Sequence, residues 1–170
     1  YKYAIKNLEK ELKLQILNDG GHEERSASYH ILILDRLTEL GCLLIIHERI
    51  VPKWLDQKVK DMLCWLKKIR LINGNYPIFN DCPKETCGNI NDVYFFAKGF
   101  LEKKYYKVNG LRGKLLNIIS QEKNTQPLSL NYENYGITDL KDTGWTFLRF
   151  KSGWELVFKC GIPCPKHLGA

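Results

Sequence analysis

Two helix-like segments near the start of the chain are joined by Asp19-Gly20-Gly21-His22-Glu23-Glu24-Arg25-Ser26-Ala27-Ser28-Tyr29-His30. No other stretch of this length is as rich in side chains that transfer protons or bind anions. The two glycines are expected to end the first helix, and the serine at position 26 is a residue type that favours the start of the next helix. The sequence therefore predicts a loop that carries functional side chains between two helices.

This order of residues resembles the signature Asp-Gly-Gly-His-x-Glu-Arg-Ser-x-x-Tyr-His of the heparinase II/III-like polysaccharide lyases, and it differs only at variable positions 23, 27 and 28. These enzymes cut acidic sugar chains by β-elimination. The resemblance implies that Tyr29 is the catalytic tyrosine, which donates a proton to the leaving oxygen and also acts as base. It implies substrate-binding roles for His22, Glu24 and Arg25, with a purely structural role for each as the alternative.

β-Elimination from a uronic acid removes the proton next to a carboxylate and expels the glycosidic oxygen, so it needs a base, an acid and neutralisation of the carboxylate. A free tyrosine has a pKa of about 10, so its phenolate must be favoured by a cation or by hydrogen-bond donors. Arg25 precedes Tyr29 by four residues, and the two side chains share a face if the helix includes both. The alternatives are that Tyr29 packs half-buried on the helices and that Glu24 fixes Arg25 through a charge-assisted hydrogen bond.

A second segment, Tyr76-Pro77-Ile78-Phe79-Asn80-Asp81, resembles the Pro-Leu-Phe-Asn-Asp segment of the same family. Asn80 and Asp81 are predicted to face the sugar cleft, although a turn role is an equal alternative because both residue types bond their own backbone. His30 projects about 100° away from Tyr29 on a helix and is predicted to pack or to form a hydrogen bond.

Apolar residues at three- and four-residue steps predict four helices. They are expected from about Ile5 to Gly20, from Ser26 to just before Gly41, from Pro52 to Asn73, and from about Asp92 to Tyr106. Short turns between long helices favour antiparallel helical hairpins.

Three short segments near the end of the chain have the composition of β-strands: Gly136 to Leu140, Trp145 to Phe150 and Trp154 to Phe158. Helices followed by antiparallel strands predict an α+β fold and argue against a doubly wound sheet. The resemblance implies helical hairpins of an incomplete (α/α) toroid, followed by the start of a β-sandwich. We expect the C-terminal part of the toroid lyase domain in residues 1–119, a linker in 120–127 and the first sandwich strands in 128–170.

The 170-residue chain has a net charge of +7, with 26 lysine and arginine residues against 19 acidic ones. This charge favours an acidic partner, here an anionic polysaccharide, although a solvated lysine surface is the more common explanation of such a charge. We predict no nucleic-acid binding, because no concentrated basic stripe or reader motif occurs. No apolar run approaches the roughly 20 residues of a membrane helix, so no membrane span is predicted. The sequence does not predict an oligomeric state.

Six cysteines are present, and Cys42 and Cys64 are predicted to be buried thiols because they lie in apolar patterns. The other four form two pairs, Cys82 with Cys87 and Cys160 with Cys164. Gaps of four and three residues are wider than those of zinc ribbons, so we predict no metal or other cofactor in this chain. A four-cysteine zinc site and a disulfide within either pair are the alternatives.

The chain begins at Tyr1 and ends at Ala170 inside patterns that are expected to continue, which indicates a middle piece of a longer protein. The resemblance assigns a carboxylate-neutralising residue, a further catalytic histidine and any divalent metal to the absent parts. The piece alone is therefore predicted to be inactive, while the parent is predicted to be a periplasmic or secreted lyase. The alternative function is a noncatalytic module that binds an anionic glycan in envelope or capsule assembly.

Overall fold

The computed structural model describes residues 1–80, 82, 89–123 and 135–161. Within these residues the helices are α1 (Lys2–Gln15), α2 (Ala27–Ile46), α3 (Lys53–Ile69), α4 (Ile90–Glu102) and α5 (Gly110–Ile119). The strands are β1 (Lys104–Tyr105), β2 (Glu122–Lys123), β3 (Gly136–Leu140), β4 (Trp145–Arg149) and β5 (Glu155–Lys159). Helices precede the antiparallel strands β3 to β5, which confirms the α+β prediction.

Helix α2 lies at the centre of the helical part and packs against α3, α4 and α5. The prediction that it ends before Gly41 is wrong, because the helix continues to Ile46. Gly41 is needed for packing: a Cβ at this position would lie 2.4 Å from the ring of Phe100 on α4. In the described part of the chain, none of the helices combines the length and apolar character that a membrane crossing requires.

The end of α4 also differs from the sequence prediction. It lies at Glu102 and not near Tyr106, because Lys103 adopts a left-handed conformation with φ of 55°. Residues 104–105 then pair in parallel with residues 122–123, inside the predicted linker. Helix α5 is not among the four predicted helices, and it buries Leu115, Leu116 and Ile119.

Helix α3 presents an apolar face to the core and a polar face to solvent. Pro52 is its extended N-cap and does not occupy the first helical position. Cys64 lies on the exposed face, so the prediction of a buried thiol is wrong there. For Cys42 on α2 the prediction is confirmed, and burial raises the pKa of this thiol to about 12.

Strands β3, β4 and β5 form an antiparallel meander in which Leu148 of β4 faces Ile137 of β3 and Leu156 of β5. Alternation along β4 directs Trp145 and Phe147 into the core. The ring centroid of Trp145 lies 5.3 Å from that of Trp65 on α3. The sheet and the helices therefore share one hydrophobic core.

The opposite face of this sheet is apolar and open to solvent. Ile137, Leu156 and Phe158 are 74%, 49% and 51% exposed. The domain boundaries given above stay a prediction, since much of the predicted linker, together with residues 128–134 and 162–170, lies outside the described residues.

Candidate functional site

The signature loop, residues 19–26, connects α1 to α2 and folds back against the end of α1. Ile16 and His22 form an isolated antiparallel bridge, and the N–H of Leu17 donates to the carbonyl of Gly21 at 2.8 Å. Gly20 supports this turn with φ of +91°, a conformation that favours glycine. The loop is thereby tied to the helix that precedes it.

Asp19 docks the loop on the turn between β3 and β4. Its carboxylate accepts hydrogen bonds from the N–H of Thr143 at 2.6 Å, from Thr143 Oγ1 at 2.9 Å and from the N–H of Gly21 at 2.9 Å. Trp65 Nε1 donates to the same hydroxyl at 2.9 Å. A Cβ on Gly21 would lie 2.2 Å from Thr143 Oγ1, so only glycine allows this approach. The Asp-Gly-Gly part of the signature thus joins the helices to the sheet.

His22 is 6% exposed, and its Nδ1 accepts a hydrogen bond from the N–H of Glu24 at 3.2 Å. In the neutral imidazole the ring proton is therefore carried by Nε2. The carbonyl of His22 accepts from the N–H of Arg25 at 2.9 Å, which closes a tight turn before α2. His22, Glu24 and Arg25 are thus brought together by one short loop.

Arg25 lies outside α2, which begins at Ala27, and has φ of 50°. The condition under which Arg25 and Tyr29 would share a helix face is therefore not met. Instead, the left-handed turn sets the direction of the Arg25 side chain. Its Nε and Nη1 are buried and have no hydrogen-bond partner among the described residues.

Tyr29 is the third residue of α2 and is half-buried. Its neighbours in sequence, Ser28 and His30, are buried at 1% and 0% exposure. Ser26 is the N-cap by position, as predicted, but its hydroxyl contacts Ser28 Oγ at 2.9 Å and makes no side-chain cap bond. Because Tyr29 is in the first turn, negative charge on its oxygen would be favoured by the positive end of the helix dipole.

His30 packs inside the protein, as the sequence predicts. Its Nε2 bonds the carbonyl of Met62 at 2.9 Å, and its ring centroid lies 4.2 Å from that of Trp65. Burial lowers the pKa of His30 to about 3, although the bond to Met62 opposes the shift and His22 adds to it. His30 is therefore neutral at pH 7 and donates to the carbonyl.

The buried neutral His30 predicts a loss of stability in mild acid. Since its folded pKa is about 3 against 6.5 unfolded, its contribution is complete above pH 6.5 and is lost as the pH falls toward 3. Between pH 7 and pH 5 we expect His30 to lower the free energy of unfolding by about 2 kcal/mol. Urea denaturation at both pH values should show this difference reduced in His30→Asn. His47 is exposed, so His47→Asn is the control. If the free energy of unfolding changes between pH 7 and pH 5 by the same amount in both variants, the prediction is wrong.

Asn80 reaches the signature loop from the segment after α3. Its Nδ2 donates to the carbonyls of Glu24 at 3.2 Å and Arg25 at 2.9 Å, and its Oδ1 accepts from Lys159 Nζ on β5. The side-chain amide is therefore engaged with protein groups on both sides. Asp81, the other residue predicted here, lies outside the described residues.

A groove with a volume of about 780 Å³ lies beside this segment, between the end of α3 and the start of α4. It is lined by residues 70–71, 73–78 and 89–91, which include Arg70, Tyr76, Asn73, Asn75, Asn89 and Asn91. The groove was not predicted from the sequence, because residues 73–74 were interpreted only as the end of a helix. The asparagine-rich composition around that end was the signal that could have found it.

The described residues contain no group of three or more histidine, cysteine or acidic side chains placed to hold a metal ion. Cys82 is buried and Cys160 is exposed. Their predicted partners, Cys87 and Cys164, lie outside the described residues, so both cysteine alternatives stay as predictions.

The sequence profile of the family described as Heparinase II/III N-terminus matches residues 1–107. The chain belongs to the heparinase II/III family. The matched residues include helices α1 to α4, the whole signature loop, Tyr29 and Asn80. Helix α5 and the β3–β5 sheet follow the matched residues. Neither a curated protein nor a solved structure matches the chain.

Proposed function

We propose that the protein carrying this chain is a polysaccharide lyase that cleaves uronic-acid-containing polysaccharides by β-elimination. Family membership supports the lyase class. The observation that carries the substrate class is Arg25, a half-buried cation with two buried guanidinium nitrogens that lack a hydrogen-bond partner among the described residues. Such a group is costly to bury unless an anion completes its hydrogen bonds.

A uronate carboxylate is the anion that β-elimination requires at this position. The guanidinium presents a planar fork of N–H donors, and it binds a carboxylate through two parallel hydrogen bonds. Binding neutralises the carboxylate and makes the proton on the adjacent carbon more acidic. Arg25 thus binds the reacting sugar, while His22, with its proton on Nε2, and Glu24 line the same loop.

Tyr29 performs the proton transfers in this proposal. The phenolate removes the proton next to the carboxylate, the electron pair forms the new double bond, and the glycosidic oxygen leaves with a proton from the phenol. Half-burial at the helix start supports both roles, because the ring is neither sealed in the core nor fully hydrated. The first turn of α2 stabilises the phenolate charge that Tyr29 carries before the first transfer and again after the second.

The groove lined by residues 70–71, 73–78 and 89–91 offers the polymer a path, and its lining ends two residues before Asn80, which contacts the signature loop. Its asparagine amides, Tyr76 and Arg70 offer hydrogen bonds, an aromatic ring and a cation, which suit an acidic sugar chain. In this proposal the helices are part of an (α/α) toroid. The β3–β5 sheet begins a β-sandwich, which is supported by its open apolar face with Ile137 and Phe158. A periplasmic or secreted location follows from where such polymers occur.

The test is Tyr29→Phe in the full-length protein, with Tyr3→Phe as control because Tyr3 is 78% exposed. Heparan sulfate, hyaluronan, alginate and bacterial capsule polymers are incubated with each variant, and absorbance of the unsaturated product is followed. Loss of a general acid and base lowers kcat by about 100-fold or more. Tyr29→Phe should therefore form almost no unsaturated product, whereas Tyr3→Phe should cleave as the unchanged protein does.

Two results would contradict the proposal. If Tyr29→Phe cleaves as fast as the unchanged protein, the tyrosine is not catalytic. If the unchanged protein binds several anionic polymers but cleaves none, the noncatalytic glycan-binding function is favoured.

A further inference from the structure

Asn80 joins the signature loop to β5 through a single side chain. Its two amide hydrogens face the carbonyls of Glu24 and Arg25, and its oxygen faces the ammonium of Lys159. The carbonyls can only accept and the ammonium can only donate, so one orientation of the amide satisfies all three contacts. Asn80 therefore links an element of the sheet to the backbone of Arg25.

We propose that Asn80 is a positioning residue that, with Lys159, fixes the direction of Arg25. The inference rests on the proposed binding of a substrate carboxylate by Arg25. It replaces the expectation that Asn80 itself contacts the sugar, because its amide is already used by Glu24, Arg25 and Lys159.

The backbone of Arg25 needs such support. A non-glycine residue with φ of 50° is in a sterically disfavoured region and persists only where its surroundings hold it. One amide nitrogen that bonds two consecutive carbonyls fixes the peptide plane between Glu24 and Arg25, and hence the point from which the guanidinium extends. Asn80 itself has φ of 58°, and asparagine tolerates this conformation better than most residues.

The sheet also holds the other end of the loop. Asp19 bonds the N–H and hydroxyl of Thr143 in the β3–β4 turn, and Lys159 in β5 bonds Asn80. Both tethers come from elements that follow the family-matched residues 1–107. Docking of the sheet thus orders a loop whose chemical groups all come from the helical part.

The test uses Asn80→Gly in the full-length protein, because glycine adopts φ of 58° without strain and removes only the amide. Amide hydrogen exchange at Arg25 and its loop neighbours is measured by mass spectrometry, which needs no activity. Loss of two hydrogen bonds should speed exchange there about tenfold. Asn75→Gly is the control, since Asn75 is an exposed asparagine of the same segment. Lys159→Met should give a smaller increase at the same peptides, and Lys159→Arg should restore protection.

Unchanged exchange at Arg25 in Asn80→Gly would overturn the proposal, as would an equal increase in Asn75→Gly. A second readout is the cycle of Asn80→Gly with Arg25→Met, scored as kcat/KM on the polymer that the unchanged protein cleaves. Asn80→Gly alone should lower kcat/KM about tenfold, and it should lower kcat/KM hardly at all once Arg25 is replaced. Equal losses of kcat/KM with and without Arg25 would overturn the inference that Asn80 acts through Arg25. If the unchanged protein cleaves nothing, the lyase proposal fails, while the exchange result still decides the role of Asn80.

Discussion

Gly20→Ala is expected to lower the free energy of unfolding by about 2 to 5 kcal/mol. Gly20 has φ of +91°, and a Cβ on it would lie 2.4 Å from the carbonyl oxygen of Asp61 and 3.3 Å from Trp65 Cβ. The Asp61 oxygen belongs to the backbone of α3 and cannot move without disturbing the helix. The cost therefore combines a disfavoured backbone conformation with a steric clash. Urea denaturation of the full-length protein measures the shift in the midpoint.

Gly153→Ala is the matched control for this substitution. Gly153 has a similar φ of +88°, but nothing lies within 4 Å of a Cβ built there. Its substitution should cost only the conformational part, about 1 to 2 kcal/mol. If Gly20→Ala is no more destabilising than Gly153→Ala, the close packing of the loop on α3 is not a source of stability.

Periodicity located most elements of the fold because it reports which face of each element is buried. Helix α3 and the β3–β5 meander were predicted near their observed bounds for this reason. The predicted end of helix α2 was placed too early, at Gly41, because a glycine in a helical pattern usually marks the end of the helix. Only the structure shows that this glycine makes room for the ring of Phe100. Helix α5 was missed because Gly110 and Gly113 dilute its apolar pattern. For α2, a contact between distant parts of the chain outweighed the local preference.

The signature predicted which loop carries the candidate chemistry, but not how that loop is held. Asp19 lies 124 residues from Thr143, and Asn80 lies 55 residues from Arg25. Contacts at such separations depend on the folded topology, and one sequence does not encode them as a visible pattern. The sequence also suggested a shared helix face for Arg25 and Tyr29, whereas the helix begins only at Ala27. Local spacing predicts geometry only inside a regular element.

Arg149→Met is expected to destabilise the protein by about 3 to 5 kcal/mol, because it removes one partner of a buried ion pair. Arg149 is 2% exposed and lies on the inner face of β4. Its Nη2 donates to the carbonyl of Lys68 at 2.7 Å and to that of Arg70 at 3.1 Å. Its Nε lies 3.4 Å from Glu155 Oε2 on β5. Methionine fills much of the same space, so the loss reports the charge and the hydrogen bonds more than the volume.

The consequences of Arg149→Met should extend beyond β4. Arg149 bonds two carbonyls at the end of α3 and so connects that helix end to the sheet. Asp19 connects the signature loop to the same sheet. The exposed pair of Arg36 with Glu39 supplies the control Arg36→Met, which should change stability by less than about 1 kcal/mol. Adding Glu155→Gln to Arg149→Met should recover part of the loss, since the unpaired carboxylate is then removed. If the single variant is as stable as Arg36→Met, Arg149 does not hold the sheet against the end of α3. If the second substitution recovers nothing, the carboxylate of Glu155 does not contribute to the loss.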